Sequence, residues 1–198
     1  MRIGVVCRWK PVHLAHAAML DALCARADEV LVGIGSPNRY DLRNPFRADE
    51  TRGMLEAYLA PRWSNARLLE VEDLGHGPRW RALVQESFGP LDLFVSANDY
   101  VRGLMAPVYP LAHPRDLVDP ARHTPIDGTR VRRALARGDA GWAALVPDEV
   151  AGFMTARGLP ERFRREFGLA TLLDEVGALL PPAARPEERQ EGSHVLLG

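Results

Sequence analysis

Lysine is almost absent from this 198-residue chain, where Lys10 stands alone against 24 arginines. Cysteine is nearly as scarce, with two residues, Cys7 and Cys24. Two cysteines cannot staple a small secreted scaffold. The first also lies in an apolar run that reads as a core strand, so reduced thiols in a cytoplasmic setting are expected. No apolar run approaches the ~18 residues that mark a membrane-spanning helix, and no stretch has the build of a secretory leader. Net charge is small, at −1, so no global basic field draws the chain to nucleic acid or to a membrane surface. No carboxylate cluster in the sequence demands a protein-held metal.

What remains is ordinary globular composition, 46% apolar and 26% charged, in a chain long enough for one sizeable core with a small helical appendage. Short apolar runs at Ile3–Cys7, Glu29–Ile34, Ala66–Val71 and Leu91–Ser96 predict strands, with a weaker fifth at Val108–Leu111. Helical patterns lie between them, at about 14–27, up to Ala60 and over 78–86, with a helical turn at 101–105. Further helices are expected over 129–136, 147–157 and 169–180. Strands alternating with helices predict parallel βαβ units, hence a Rossmann-like doubly wound α/β sheet with C-terminal helices. Such folds bind ligands at the carboxyl ends of their strands. The polar stretch up to Asn44 reads as a mobile loop. The division expected is a main domain over 1–157, a helical extension over 158–180 and a flexible Pro-, Glu- and Arg-rich tail over 181–198.

The most informative stretch is Ile3–His16, I-G-V-V-C-R-W-K-P-V-H-L-A-H. A buried strand gives way to Arg8, Trp9, Lys10 and Pro11. Two imidazoles follow three residues apart, His13 and His16, at the front of an apolar-periodic helix. Positions i and i+3 share a helix face. A helix N-terminus supplies free N–H groups and a positive dipole, so the stretch forms a natural phosphate site. A second basic stretch, T-P-I-D-G-T-R-V-R-R-A-L-A-R, places Asp127 as an N-cap ahead of Thr129, Arg132 and Arg133. Its hydroxyl, free N–H groups and guanidinium forks suit phosphate equally well. Taken singly, the two stretches also read as solvated surface helices. Histidines at i and i+3 without cysteine or a third histidine make a poor zinc site.

Together these segments resemble the H-x-G-H nucleotidyltransferase superfamily, in its archaeal-type nicotinamide mononucleotide (NMN) adenylyltransferase form. R-W-K-P-V-H-L-A-H resembles G-R-F-Q-P-x-H-x-G-H, with Cys7, Lys10 and Ala15 departing from it. I-D-G-T-R-V-R-R resembles I-S-G-T-E-I-R-R, with Asp127 in place of Ser. G-I-G-S-P-N and N-P-F-R-A-D-E also match, Thr51 standing where the family has a phosphate-binding Arg. The likeness runs from about residue 2 to residue 157.

The resemblance implies the nucleotidyltransferase fold. It implies transfer of a nucleoside monophosphate from a triphosphate to a small phosphate-bearing acceptor with loss of pyrophosphate, as in ATP plus NMN giving NAD. It assigns His13, His16, Arg8, Lys10 and Arg132 to catalysis. Trp9, Thr129, Asp127, Gly128, Arg133, Gly35 and Ser36 fall to nucleotide and phosphate binding. Trp80, Asn98, Arg79 and Arg52 fall to the acceptor, with Gly77 where the family carries an amide-reading Asn. Mg²⁺ is expected to arrive with the triphosphate, and homo-oligomers are expected by the same likeness. The departures keep two alternatives open. One is a cytidylyltransferase or related enzyme acting on a phosphonate or phosphate ester. The other is a non-catalytic nucleotide-binding regulator.

Overall fold

The computed structural model describes residues 1–179, so the tail expected over 181–198 lies outside the described residues. Five parallel strands form one sheet, β1 (Arg2–Cys7), β2 (Glu29–Gly35), β3 (Ala66–Val71), β4 (Leu93–Val95) and β5 (Leu111–Ala112), in the order β3-β2-β1-β4-β5. The register pairs Val5 with Val32 on one side of β1 and with Val95 on the other. The expected α/β sheet is thus present. The central strands are buried on both faces, which is why they read as continuous apolar runs rather than as alternating ones.

The two faces carry separate cores. Ile3, Val5, Val30, Val32 and Ile34 face helices α1 (Leu14–Cys24) and α2 (Ala48–Leu59), together with the C-terminal helices. Val6, Leu31 and Val71 point the other way, onto α3 (Gly77–Phe88) and α4 (Asp99–Met105). Phe88 lies so close to the sheet that a Cβ on Gly33 would come within 2.9 Å of its ring, and glycine there makes the approach possible.

Beyond the sheet come α5 (Gly128–Arg137), α6 (Asp148–Ala156), α7 (Leu159–Phe163) and α8 (Leu169–Leu179). A π-helical turn, Arg164–Gly168, joins α7 to α8. Leu159 and Phe163 of α7 enter the same core as α2 and α5. Arg162 adds a two-pronged ion pair with Glu50 of α2, one prong at 2.7 Å. Helix α5 is bounded as its sequence directs. The Asp127 carboxylate accepts from the Arg130 N–H at 2.7 Å, and Gly138 closes the helix in the left-handed region.

Two expectations shift. The fifth strand lies at 111–112 because the N–H groups of Val108 and Tyr109 bond to the Met105 carbonyl, closing α4. The polar stretch before Asn44 is a locked turn. The Asp41 carboxylate accepts from the backbone N–H groups of Arg43 at 2.9 Å and Asn44 at 2.8 Å. Residues 158–168, the start of the expected helical extension, run through α7 and the π-helical turn into α8.

Candidate active site

A cavity of about 410 Å³ opens at the carboxyl ends of β1 and β4, lined there by Val5, Cys7, Val95 and Ser96. In this strand order the chain moves outward from β1 to β3 and then crosses to the other side at β4. The loops of the two halves diverge there and leave a crevice, so topology alone puts the site at this point.

The floor is built by a strained turn after β1. Trp9 has φ 56° and Ser36 has φ 54°, both in the left-handed region that disfavours side chains. Such strain costs on the order of 1–3 kcal/mol and persists only where surroundings over-determine it. Here the determinant is the Trp9 indole, fully buried, whose Nε1–H donates to the Gly33 carbonyl at 2.8 Å. That anchor turns Lys10 inward. The ammonium donates to the Ser36 carbonyl at 2.8 Å and to Asn44 Oδ1 at 3.4 Å. Lys10 is 3% exposed, and burial lowers its pKa to about 8, against the pull of Asp41. Trp9 therefore serves as an anchor beneath the site. The same ring lines the cavity and lies 4.6 Å, centroid to centroid, from that of His16.

His13 is the N-cap of α1. Its Nδ1 accepts from the His16 backbone N–H at 3.4 Å, which leaves Nε2 to carry the proton in the neutral ring. The two imidazoles stack with centroids 3.6 Å apart and planes at 21°. Burial is the main reason that His13 titrates near 4, with Asp127 opposing and Arg132 adding to the shift. Burial, then the adjacent His13, holds His16 well below the usual imidazole range, against a backbone hydrogen bond with Pro11. His16 Nδ1 is buried without a hydrogen-bond partner. Both rings are thus neutral in the free protein. A polyphosphate alongside would favour their protonated forms.

Helix α5 brings its N-terminus to the same cavity. Arg132 reaches across to donate from Nη1 to the Lys10 carbonyl at 3.0 Å and from Nη2 to Thr129 Oγ1 at 3.2 Å. Burial, with Arg8 adding, lowers Arg132 to about 10, so it stays charged at neutral pH. Gly128 packs beneath this guanidinium. Among the described residues Asp127 is the one carboxylate of the lining, against the cations Arg8, Lys10, Arg43, Arg115, Arg122 and Arg132. The cavity is an anion trap inside a chain of almost no net charge.

Not every expected residue converges. Trp80 is fully buried in the core on the opposite face of the sheet, with Val84 and Phe88 of its own helix. Arg79 is exposed on α3, away from the cavity lining. A side chain on Gly77 would meet the Tyr100 hydroxyl at 2.3 Å. Asn98 caps α4, accepting from the Val101 N–H at 3.0 Å. Arg52 is paired with Glu70 at 3.0 Å, Arg133 faces Glu175 at 3.8 Å, and neither lines the cavity. The Thr51 hydroxyl donates to the Arg47 carbonyl at 2.9 Å from a fully buried position. Gly35 ends β2, and Ser36 contributes the carbonyl that holds Lys10. The polar lining residues that sequence reading did not single out include Arg43, His113, Arg115, Arg122, His123 and Thr124. They sit in turns and 3₁₀ segments with no periodicity to flag them. Among the described residues no group of three or more His, Cys, Asp or Glu side chains could hold a metal, and no helix is long and apolar enough to cross a membrane.

The cytidylyltransferase-like family model matches residues 6–133 of this chain. A nicotinamide-nucleotide adenylyltransferase of Aeropyrum pernix is 32% identical over 168 residues, covering 83% of this chain and 96% of that protein. One of the same description from Methanocorpusculum labreanum is 32% identical over 154 residues, covering 76% and 88%. A crystal structure of a bifunctional NMN adenylyltransferase/ADP ribose pyrophosphatase from Francisella tularensis, complexed with AMP and a manganese ion, superposes with a TM-score of 0.64 at 16% identity. That superposition covers 91% of this chain and 56% of the bifunctional one, and is a likeness of fold.

Proposed function

The chain belongs to the cytidylyltransferase-like family of nucleotidyltransferases, and from that premise we propose that it moves the adenylyl group of ATP onto NMN, giving NAD and pyrophosphate. The observation that carries this reading is the convergence of stacked His13 and His16 with Arg132 and Lys10 at the switch point of the sheet. Its relatives' description as nicotinamide-nucleotide adenylyltransferases supplies the acceptor.

The reaction needs an oxygen of the acceptor phosphate to attack the α-phosphorus while the bond to pyrophosphate breaks. Charge then gathers on the bridging and equatorial oxygens. Catalysis is positioning plus electrostatic stabilisation, with donors already in place. The neutral imidazole of His13 offers Nε2–H to those oxygens. His16 is held against it by stacking, and the charge of the departing pyrophosphate strengthens both rings as donors. Arg132 is pre-set by its bonds to Lys10 and Thr129, so its fork loses little freedom on gripping phosphate. Lys10 adds charge from the floor. Burial raises the Cys7 thiol to about 12, with Arg8 opposing, so no thiolate in the lining offers a covalent route. Direct displacement is the step these groups support.

The lining has only Asp127 as an acid. A divalent cation would therefore come as a companion of the triphosphate, Asp127 being the residue of the lining that could help to hold it, and would supply charge neutralisation of the phosphate oxygens. Magnesium is the ion we propose.

A second reading keeps the nucleotidyl transfer and changes the acceptor to another small phosphate ester or phosphonate. The burial of Trp80 away from the cavity favours it, since that indole is out of reach of a nicotinamide bound there. One experiment separates the two. The protein is incubated with Mg²⁺, each of the four ribonucleoside triphosphates, and NMN, nicotinic acid mononucleotide or simple phosphonates, and pyrophosphate release is measured. NAD formation from ATP and NMN supports the first reading. Turnover with a phosphonate alone supports the second.

A further inference from the structure

Two arginines, Arg8 and Arg43, line the cavity together, and only the first stood out in the sequence. Asp73, the other acid near Arg8, is paired with Arg39 at 3.5 Å. The nearby Asp41 carboxylate already accepts from the Arg43 and Asn44 backbone and from Asn44 Nδ2 at 3.0 Å. Among the described residues no carboxylate forms an ion pair with either guanidinium. The two cations repel, and Arg43 contributes, after burial, to lowering Arg8 below the ordinary guanidinium value.

Arg43 is also not free to swing away at its root. Its backbone is fixed by Asp41, and its neighbour Asn44 is held by Lys10, which is itself anchored to Ser36. The fold thus sets two cations without an ion pair among the described residues in the lining of one cavity. An oxyanion between them would turn the repulsion into two charge-assisted contacts.

We propose that Arg8 and Arg43 form a guanidinium clamp for a single phosphate group, with Arg43 as a substrate-binding residue of the nucleotidyl transfer. The inference rests on the nucleotidyltransferase reading for its substrates, though not for its anion. The phosphate comes either from the triphosphate or from the acceptor's phosphomonoester, and the arms of the test separate these sources.

Calorimetric titration of the intact protein with inorganic tripolyphosphate, with Mg-ATP and with NMN is compared for wild type, Arg43→Ala, Arg43→Lys, Arg8→Ala and the double alanine variant. The clamp predicts that Arg43→Ala weakens tripolyphosphate binding ~10-fold or more, the scale of a lost charge-assisted contact. Arg43→Lys recovers part of that loss. The double variant loses at least ~5-fold less than the product of the single losses, because both groups act on one phosphate. The melting temperature of ligand-free Arg43→Ala stays level or rises, since a repulsion has been removed. A matching loss with Mg-ATP but not NMN assigns the phosphate to the triphosphate, and the reverse assigns it to the acceptor. Arg43→Ala binding all three within ~2-fold of wild type overturns the clamp, and so do strictly multiplicative losses. A fall in ligand-free melting temperature with affinities unchanged gives Arg43 a purely structural role and also overturns it. Wild type that binds tripolyphosphate through both arginines but turns over no substrate pair keeps the clamp and removes the proposed function.

Discussion

Adding one methyl group at Gly128 tests whether the position of Arg132, rather than its charge alone, matters. Gly128 is the first residue of α5, and its φ is not in the left-handed region, so alanine is conformationally acceptable there. A Cβ at this position would meet Arg132 Nη1 at 2.9 Å and the Lys10 carbonyl oxygen at 3.4 Å. The first contact is too close, so the guanidinium must move by several tenths of an ångström. That strains the 3.0 Å bond it makes to the same carbonyl. The stability terms nearly cancel. Replacing glycine by alanine gains ~0.4–1 kcal/mol through the unfolded chain, and a weakened hydrogen bond costs ~1 kcal/mol. For a chain of this size that keeps the melting temperature within ~3 °C of wild type. Catalysis has no such compensation. A misplacement near 1 Å costs ~10²-fold, so a few tenths should cost ~10-fold in kcat/KM. Pyrophosphate release gives the rate and thermal unfolding gives the stability. Wild-type kcat/KM at a wild-type melting temperature would refute the positional argument. A melting temperature lower by more than ~10 °C would refute the claim that only the side chain moves.

Three further expectations follow from the same geometry. His16→Ala should lower kcat ~10²–10³-fold, the scale of a lost transition-state donor, with the fold retained by far-ultraviolet dichroism; near-wild-type turnover would remove His16 from the site. Folding stability should fall as pH drops from 7 to 5, by ~2 kcal/mol from His13 alone, because the unfolded imidazole takes up a proton near 6.5 while the folded one resists down to about 4. His13→Asn, which keeps the cap, should flatten that slope in urea titrations, and an unchanged slope would place the titration elsewhere. Trp80→Phe should cost ~1–3 kcal/mol of stability and leave the acceptor KM unchanged, as expected of a core residue; a KM raised ~10-fold at unchanged stability would return Trp80 to the acceptor site.

The chemistry of the site was more legible in the sequence than its shape. His13, His16, Thr129 and Arg132 sit at spacings that place them in the opening turns of helices, with Arg8 and Lys10 in the turn that leads into one, and local geometry is what spacing encodes. Trp9 stood among the nucleotide-binding residues that the resemblance implies, and its role as an anchor was not legible there. The hydrogen bond from its indole to Gly33 is a contact across 24 residues that no local pattern reveals. Trp80, Val84 and Phe88 formed a visible stripe at i, i+4 and i+8, and the structure turns that stripe into the sheet. Arg43 lies in a polar turn where nothing periodic distinguishes one arginine from the next. In the fold, β1 and β2 were clear because burial on both faces demands near-continuous apolar runs. The two-residue β5 carried too little signal to locate.

The central claim is nucleotidyl transfer at the stacked histidines, and it is tested most directly by following the α-phosphorus. ATP labelled at that atom is mixed with Mg²⁺, NMN and the protein, and products are separated at intervals. The account predicts label passing into NAD with one pyrophosphate released for each dinucleotide formed, no label retained on the protein, and loss of transfer in His16→Ala. Label trapped on the protein, label released only as AMP, or transfer that survives in His16→Ala would contradict it.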